Sequence, residues 1–87
     1  MFTLYFFGSE KCKECRELLL RLYEKKILNN DIVNFRFIDA FADEHQEFCD
    51  EHDVDKLPHI LLYDSRNDII LEKIGMFEIE DILDIVK

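Results

Sequence analysis

An apolar run, Phe2-Thr3-Leu4-Tyr5-Phe6-Phe7, leads through a short loop into Cys12-Lys13-Glu14-Cys15, and the cysteines open a segment of helical periodicity. This order constrains the fold more than any other feature. Residues 2–7 are apolar on both faces, as expected of a central strand covered on each side. A strand that turns into a helix within a few residues makes the first half of a β-α-β unit. Two cysteines three apart at a helix start lie close enough to form a disulfide. The first sulfur also sits where backbone N–H groups and the helix dipole stabilise a thiolate.

Eighty-seven residues suffice for one hydrophobic core, so a single domain spanning 1–87 is expected. Apolar residues make up 48% of the chain, too many for a disordered segment. No apolar stretch approaches the roughly 20 residues that span a bilayer. The N-terminus has no basic region and no small-residue cleavage site, so no signal peptide is expected. A reducing, cytoplasmic setting follows as the expectation, and there cysteines are functional rather than structural. Three cysteines are also too few for a disulfide scaffold. A formal charge of −9 argues against nucleic acid and against an anionic membrane surface as partners. It fits a well-solvated surface, or partners that carry basic patches.

The rest of the chain alternates in the same way. Cys15, Leu18, Leu19, Leu22 and Tyr23 recur at helical spacing up to about Ile27, and Asn29-Asn30-Asp31 ends that helix. Val33 to Asp39 alternates as a second strand, with Val33, Phe35 and Phe37 on one face. Asp43 and Gln46 match a capping box at the start of a second helix. Pro58 marks the entry to a strand from His59 to Tyr63. Asp64-Ser65-Arg66-Asn67 turns into another from Asp68 to Ile74. After Gly75 a last helix carries Ile79, Ile82, Leu83 and Val86 on one face. Glu78, Glu80 and Asp81 favour its N-terminal end and Lys87 its C-terminal end. The expected fold is α/β, a four-stranded mixed sheet flanked by three helices in the order β-α-β-α-β-β-α.

Disulfide exchange needs a thiolate, a second thiol to resolve the mixed disulfide, and access for the substrate. Cys12, at the loop–helix junction, is the more exposed and the candidate nucleophile; Cys15, one turn in, is suited to resolving. Lys11 and Lys13 should help Cys12 ionise, while Glu10 and Glu14 oppose them. The same spacing also makes half a zinc site, but no second CxxC or HxxxH supplies the other ligands. Leu57-Pro58 is the second informative feature. Most X–Pro bonds are trans. Downstream of such a cysteine pair a cis bond is expected, turning Leu57's backbone N–H and C=O towards the disulfide.

With these marks the chain resembles a small thioredoxin-superfamily protein over nearly its whole length. The resemblance is carried by strand–CKEC–helix, a strand ending in Ile38-Asp39, Val54-Asp55-Lys56-Leu57-Pro58, a hairpin, and Ile74-Gly75 before the last helix. It implies a thioredoxin-like fold and dithiol–disulfide exchange with protein disulfides. Cys12 would be the nucleophile, Cys15 the resolving thiol, Pro58 the cis-proline and Leu57 the residue that binds substrate backbone. The implied partners are disulfide-containing proteins and a reductase. No cofactor beyond a redox-active Cys12–Cys15 disulfide and no metal are expected, and a monomer is. Departures are plain. Lys11 stands where thioredoxins usually have tryptophan, Lys13-Glu14 where they have Gly-Pro, and Phe6 where they bury an aspartate. The chain also begins at the first central strand, a compactness that resembles glutaredoxins. Lys56-Leu57-Pro58 and Gly75-Met76 nonetheless differ from glutaredoxin's glutathione-contact elements. Glutathione use and a metal- or Fe–S-binding module are the alternatives.

Three histidines and one cysteine remain. His45, Cys49 and His52 are spaced four and three apart, so they share a helical face. They fit a metal patch, or two histidines edging a core cysteine. Cys49 itself reads as a small buried side chain, with an oxidation site as the alternative. His59 follows Pro58 and reads either as a strand residue or as a proton shuttle for the cysteine pair. The phenylalanines read as core.

Overall fold

The computed structural model describes residues 1–27 and 30–86. Its elements are β1 (Phe2–Gly8), α1 (Lys13–Glu24), β2 (Val33–Asp39), α2 (Gln46–Glu51, entered through a 3-10 turn at Asp43–His45), β3 (His59–Tyr63), β4 (Ile69–Ile74) and α3 (Glu80–Val86). The strands form one sheet in the order β2-β1-β3-β4. β1 and β2 are parallel, in register from Phe2 opposite Val33 to Gly8 opposite Asp39. β3 runs antiparallel to β1 and to β4. This is the mixed sheet with three helices that the sequence predicts, with β1 at its centre.

Alternation along the strands divides the core into two unequal layers. Leu4, Phe6, Ile60 and Leu62 share one layer with Leu18 and Leu22 of α1 and with Ile82 and Val86 of α3. Phe7 and Leu61 share the other with Cys49 of α2. Each fully buried leucine, isoleucine or phenylalanine contributes about 1.5–3 kcal/mol of transfer free energy. The larger layer, under α1 and α3, therefore holds most of the stability. It is also the layer that contains Cys15.

Helix α1 stops at Glu24, three residues short of the predicted end, and the reason is local. Lys26 adopts a left-handed conformation (φ 61°). Its N–H donates to Tyr23 O at 3.0 Å, and the N–H of Ile27 to Leu22 O at 3.0 Å. These two bonds are a Schellman motif, closed by contact between buried Ile27 and Leu22. Of the predicted Asn29-Asn30-Asp31 stop, Asn29 lies outside the described residues, as does Lys87 beyond α3. Tyr23 is exposed rather than core, because at 3.6 residues per turn it lies about 80° round the helix from Cys15.

The capping box at Asp43 does not form. Ala42 is the N-cap of the 3-10 turn and no side chain caps it. Gln46 Nε2 instead donates to Ala40 O at 3.0 Å, tying α2 back to the end of β2. In the hairpin, Asp64 Oδ1 accepts the N–H groups of Arg66 and Asp68, so β4 starts at Ile69. Two phenylalanines depart from the core assignment: Phe37 is 41% exposed and Phe41 71% exposed.

Two expectations test this packing. A Cβ added to Gly8 would lie 2.9 Å from Phe6 Cε1, 3.1 Å from Phe37 Cε2 and 3.3 Å from Cys15 Sγ. Phe6 is wedged in the core, so Gly8→Ala is expected to cost about 1–3 kcal/mol of stability, seen as a lower urea midpoint at unchanged slope. An unaltered midpoint would show that the aromatic rings yield. The second expectation concerns Cys49. Burial, then the nearby Asp50 and Asp39 carboxylates, push its thiol upward. The folded state thus holds this proton more tightly than the unfolded chain. Stability from this source is complete below the ordinary thiol range and declines as pH rises through it. Between pH 8 and pH 10 the urea midpoint should therefore fall further in the native sequence than in Cys49→Ala. Equal falls would count against the assignment.

Candidate active site

Cys12 and Cys15 form a disulfide, with Cα atoms 5.2 Å apart. The loop that delivers them is short and internally bonded. Ser9 Oγ accepts the N–H of Lys11 at 3.2 Å, and Ser9 O accepts the N–H of Cys12 at 3.0 Å. These bonds turn the chain from β1 into α1 with Cys12 as the N-cap. Its backbone is extended (φ −90°, ψ 109°), and its Sγ accepts the N–H of Cys15 at 3.2 Å. A sulfur thus occupies the position where serine or aspartate oxygen usually satisfies a free helix N–H. The same bond favours negative charge on that sulfur when the disulfide is open.

The two sulfurs differ in access. Cys12 is half-buried and Cys15 has no exposed surface. Cys15 shares a buried cluster with Phe6, whose ring stacks on that of Phe37 with centroids 5.8 Å apart, and its Sγ, with both rings, borders the space above the bare Cα of Gly8. Among the described residues the buried polar side chains are Ser9 and His59. The position six residues before Cys12 is therefore apolar in fact as well as in sequence. Among the described residues no buried carboxylate lies beside Cys15.

Leu57-Pro58 arrives at the same end of the sheet. Phe7 pairs with His59 in the antiparallel ladder, which carries Pro58 to the level of Gly8. The Leu57–Pro58 bond is cis. Gly75, with a left-handed φ of 84°, donates its N–H to Pro58 O at 2.7 Å and so fixes the loop from the β4 side. Leu57 is half-buried and packs against the same cluster as Cys12. Its own backbone N–H and C=O have no hydrogen-bond partner among the described residues.

The charged neighbours fall unevenly. Lys11 and Lys13 are exposed and make no ion pair among the described residues. Glu14 places its Oε2 3.9 Å from Cys12 Sγ. His59 is not brought to the cysteines. It shares a face with Phe7 and Leu61, its ring lies 5.6 Å from that of Phe7, and its Nε2 is 2.8 Å from Glu72 Oε2. The sheet stands between His59 and the disulfide, because Ile60 and Leu62, not residues 59 and 61, face the α1 layer.

His45, Cys49 and His52 are not gathered either. His45 precedes α2, and its Nδ1 lies 3.0 Å from Asp39 O. His52 follows α2 and packs edge-on against Phe48 at 4.8 Å. Among the described residues no group of three or more His, Cys, Asp or Glu is placed to hold a metal ion. One feature of the site was not anticipated. A groove of about 260 Å³ runs beside the loop to Cys12, lined by Ser9, Glu10, Lys11, Asp39 and exposed Phe41. An Asx turn, in which the N–H of Phe41 donates to Asp39 Oδ1 at 3.0 Å, presents that ring. The signal in sequence is the aspartate two residues before it at a strand end.

No protein-family model and no curated protein sequence matches the chain. Solved structures do. Thioredoxin-2 of the malaria parasite superposes with a TM-score of 0.83 at 14% identity, over 99% of this chain and 81% of its own. Thioredoxin O2 of Arabidopsis thaliana, in its oxidised state, gives 0.81 at 12% identity, over 99% and 75%. Thioredoxin 1 of Thermosipho africanus gives 0.77 at 20% identity, over 94% and 86%. With the mixed four-stranded sheet, the three helices and a CxxC disulfide at the first strand–helix junction, the chain has a thioredoxin-like fold.

Proposed function

We propose that the chain is a thiol–disulfide oxidoreductase acting on protein disulfides. The observation that carries this reading is a disulfide with one accessible and one sealed sulfur, set at a helix N-terminus. In the reduced pair, the Cys12 thiolate attacks one sulfur of a substrate disulfide, forms a Cys12–substrate disulfide and expels the other substrate sulfur as a thiolate. Cys15, losing its proton, then attacks Cys12 Sγ. This re-forms the Cys12–Cys15 bond and releases the second substrate thiol. The substrate gains two electrons and the pair loses two. A reductase returns the pair to the dithiol.

Leu57 and Pro58 align the substrate. An extended substrate segment can donate to Leu57 C=O and accept from its N–H, both free of other partners in the described structure. That is strand addition confined to one residue pair, and it holds the attacked sulfur over Cys12. The solved thioredoxins to which the chain is similar support the fold-level part of this reading. The reading further takes the protein as a monomer working in a reducing compartment such as the cytoplasm. No helix among the described residues is long and apolar enough to cross a membrane.

Removing the resolving thiol should stop the cycle at its covalent intermediate. Cys15→Ser, expressed in cells and quenched with acid, is expected to carry proteins linked through Cys12 that dithiothreitol releases. Cys12→Ser and the Cys12→Ser/Cys15→Ser double variant should carry none, and both should reduce protein disulfides only at the uncatalysed rate. Failure to trap any species, with the native pair also inert towards protein disulfides, would overturn the proposal.

A further inference from the structure

We propose that a cleft on the α2 side of the sheet, lined by Thr3, Tyr5, Phe48, Tyr63 and Asn67, binds an arginine side chain presented by a basic protein segment. The cleft holds about 320 Å³. It lies at the far end of β1 from the disulfide, since Thr3 is about 17 Å along the strand from Gly8. The site therefore stands apart from the redox reading. It exists because α2 is six residues long and covers part of the sheet face. Phe48 of α2 packs on the layer of Phe7 and Leu61, while Tyr5 and Tyr63, towards the start of β1, are left half-buried.

The rings are held before any ligand arrives. Tyr5 meets Phe48 edge-on at 5.2 Å and Tyr63 at 5.5 Å, with interplanar angles of 63° and 85°. Phe48 in turn packs on Phe7 at 5.5 Å and on His52 at 4.8 Å. Around these rings stand four polar side chains without a hydrogen-bond partner among the described residues: the hydroxyls of Thr3, Tyr5 and Tyr63 and the amide of Asn67. Burial, then Tyr5, then the Glu72 carboxylate push the Tyr63 phenol upward, so it stays neutral. Each of the four side chains has an oxygen that accepts. A guanidinium carries five N–H donors in a plane and no acceptor, and it stacks on aromatic faces more readily than the strongly hydrated ammonium of lysine. The charge is complementary as well. Asp64 follows Tyr63, Asp68 follows Asn67, and Glu72 pairs with Leu61 on the same face, in a chain of net charge −9. Arg36 lies opposite Tyr5 on β2 and opposes an incoming cation. It is exposed and makes no ion pair or ring contact among the described residues.

The chain has three tyrosines, and Tyr23 is exposed on α1, so the tyrosine ring resonances carry their own control. Titrating the native protein with N-acetylarginine amide is expected to shift the Tyr5 and Tyr63 resonances saturably and to leave those of Tyr23 in place. The citrulline counterpart, of nearly the same shape without the charge, should shift neither, and the lysine counterpart should bind more weakly. Tyr63→Leu should weaken arginine binding about fivefold or more. Tyr63→Phe, which keeps the ring and removes the acceptor, should weaken it less, and Arg36→Gln should tighten it. Equal shifts with citrulline amide, or with a proline-rich peptide at the same concentration, would overturn the proposal, because the cleft would then read shape and not charge. So would the absence of any saturable shift at Tyr5 and Tyr63. Should Tyr63→Leu fail to fold, Tyr63→Phe and Arg36→Gln carry the test: arginine affinity unchanged in both would overturn the proposal too.

Discussion

The seating of α1 on the end of β1, with Cys15 as the contact, is the constraint on which the site depends. Cys15 Sγ borders the space that Gly8 leaves open, as do the rings of Phe6 and Phe37, and it has no exposed surface. Since it lies in the first turn of α1, that packing fixes where the helix begins. The helix start fixes Cys12 as N-cap, and the N-cap geometry places the first sulfur at the surface above the second. A small side chain on the helix and none on the strand are both required. A side chain added at Gly8 would press on Cys15 Sγ and lift the first turn of α1.

The same sheet carries two environments. The layer under α1 and α3 is large and apolar, with Cys15 buried in it and Cys12 packed at its margin. The layer under the short α2 is smaller and holds the remaining thiol and the buried imidazole. Among the described residues His59 Nδ1 has no hydrogen-bond partner, while Nε2 meets the Glu72 carboxylate at the sheet edge. Cys49 is held as a neutral thiol by burial and by nearby carboxylates, the opposite of what a nucleophile needs. One strand, β1, supplies alternate residues to both layers. The disulfide and the free thiol are thus separated by the thickness of a sheet rather than by distance along the chain.

How much of this was legible in the sequence varied with the kind of interaction. The strands β2 and β3 fall where alternation puts them, and the cysteine pair and Leu57-Pro58 meet because the topology that brings them together follows from short connections. What escaped was set by contacts between segments. The end of α1 depends on Lys26 accepting a left-handed conformation that glycine or asparagine would have signalled. The capping box failed because Gln46 found Ala40 O, an acceptor supplied by the end of β2. Facing could not be read for His59, since a strand residue's side is fixed only by the register of the whole sheet. Phe41 reads as core by type, yet its turn aims it outward beside the entry loop.

The apolar surroundings of Cys15 also change where the site's chemistry can be controlled. A buried carboxylate would let the second sulfur lose its proton inside the protein. With Phe6 in that position, the described residues place no buried carboxylate beside Cys15. On the redox reading proposed above, that proton would leave on the solvent side, where Cys12 accepts the N–H of Cys15 at the start of α1. The exposed side chains of that first turn can change there without disturbing the core.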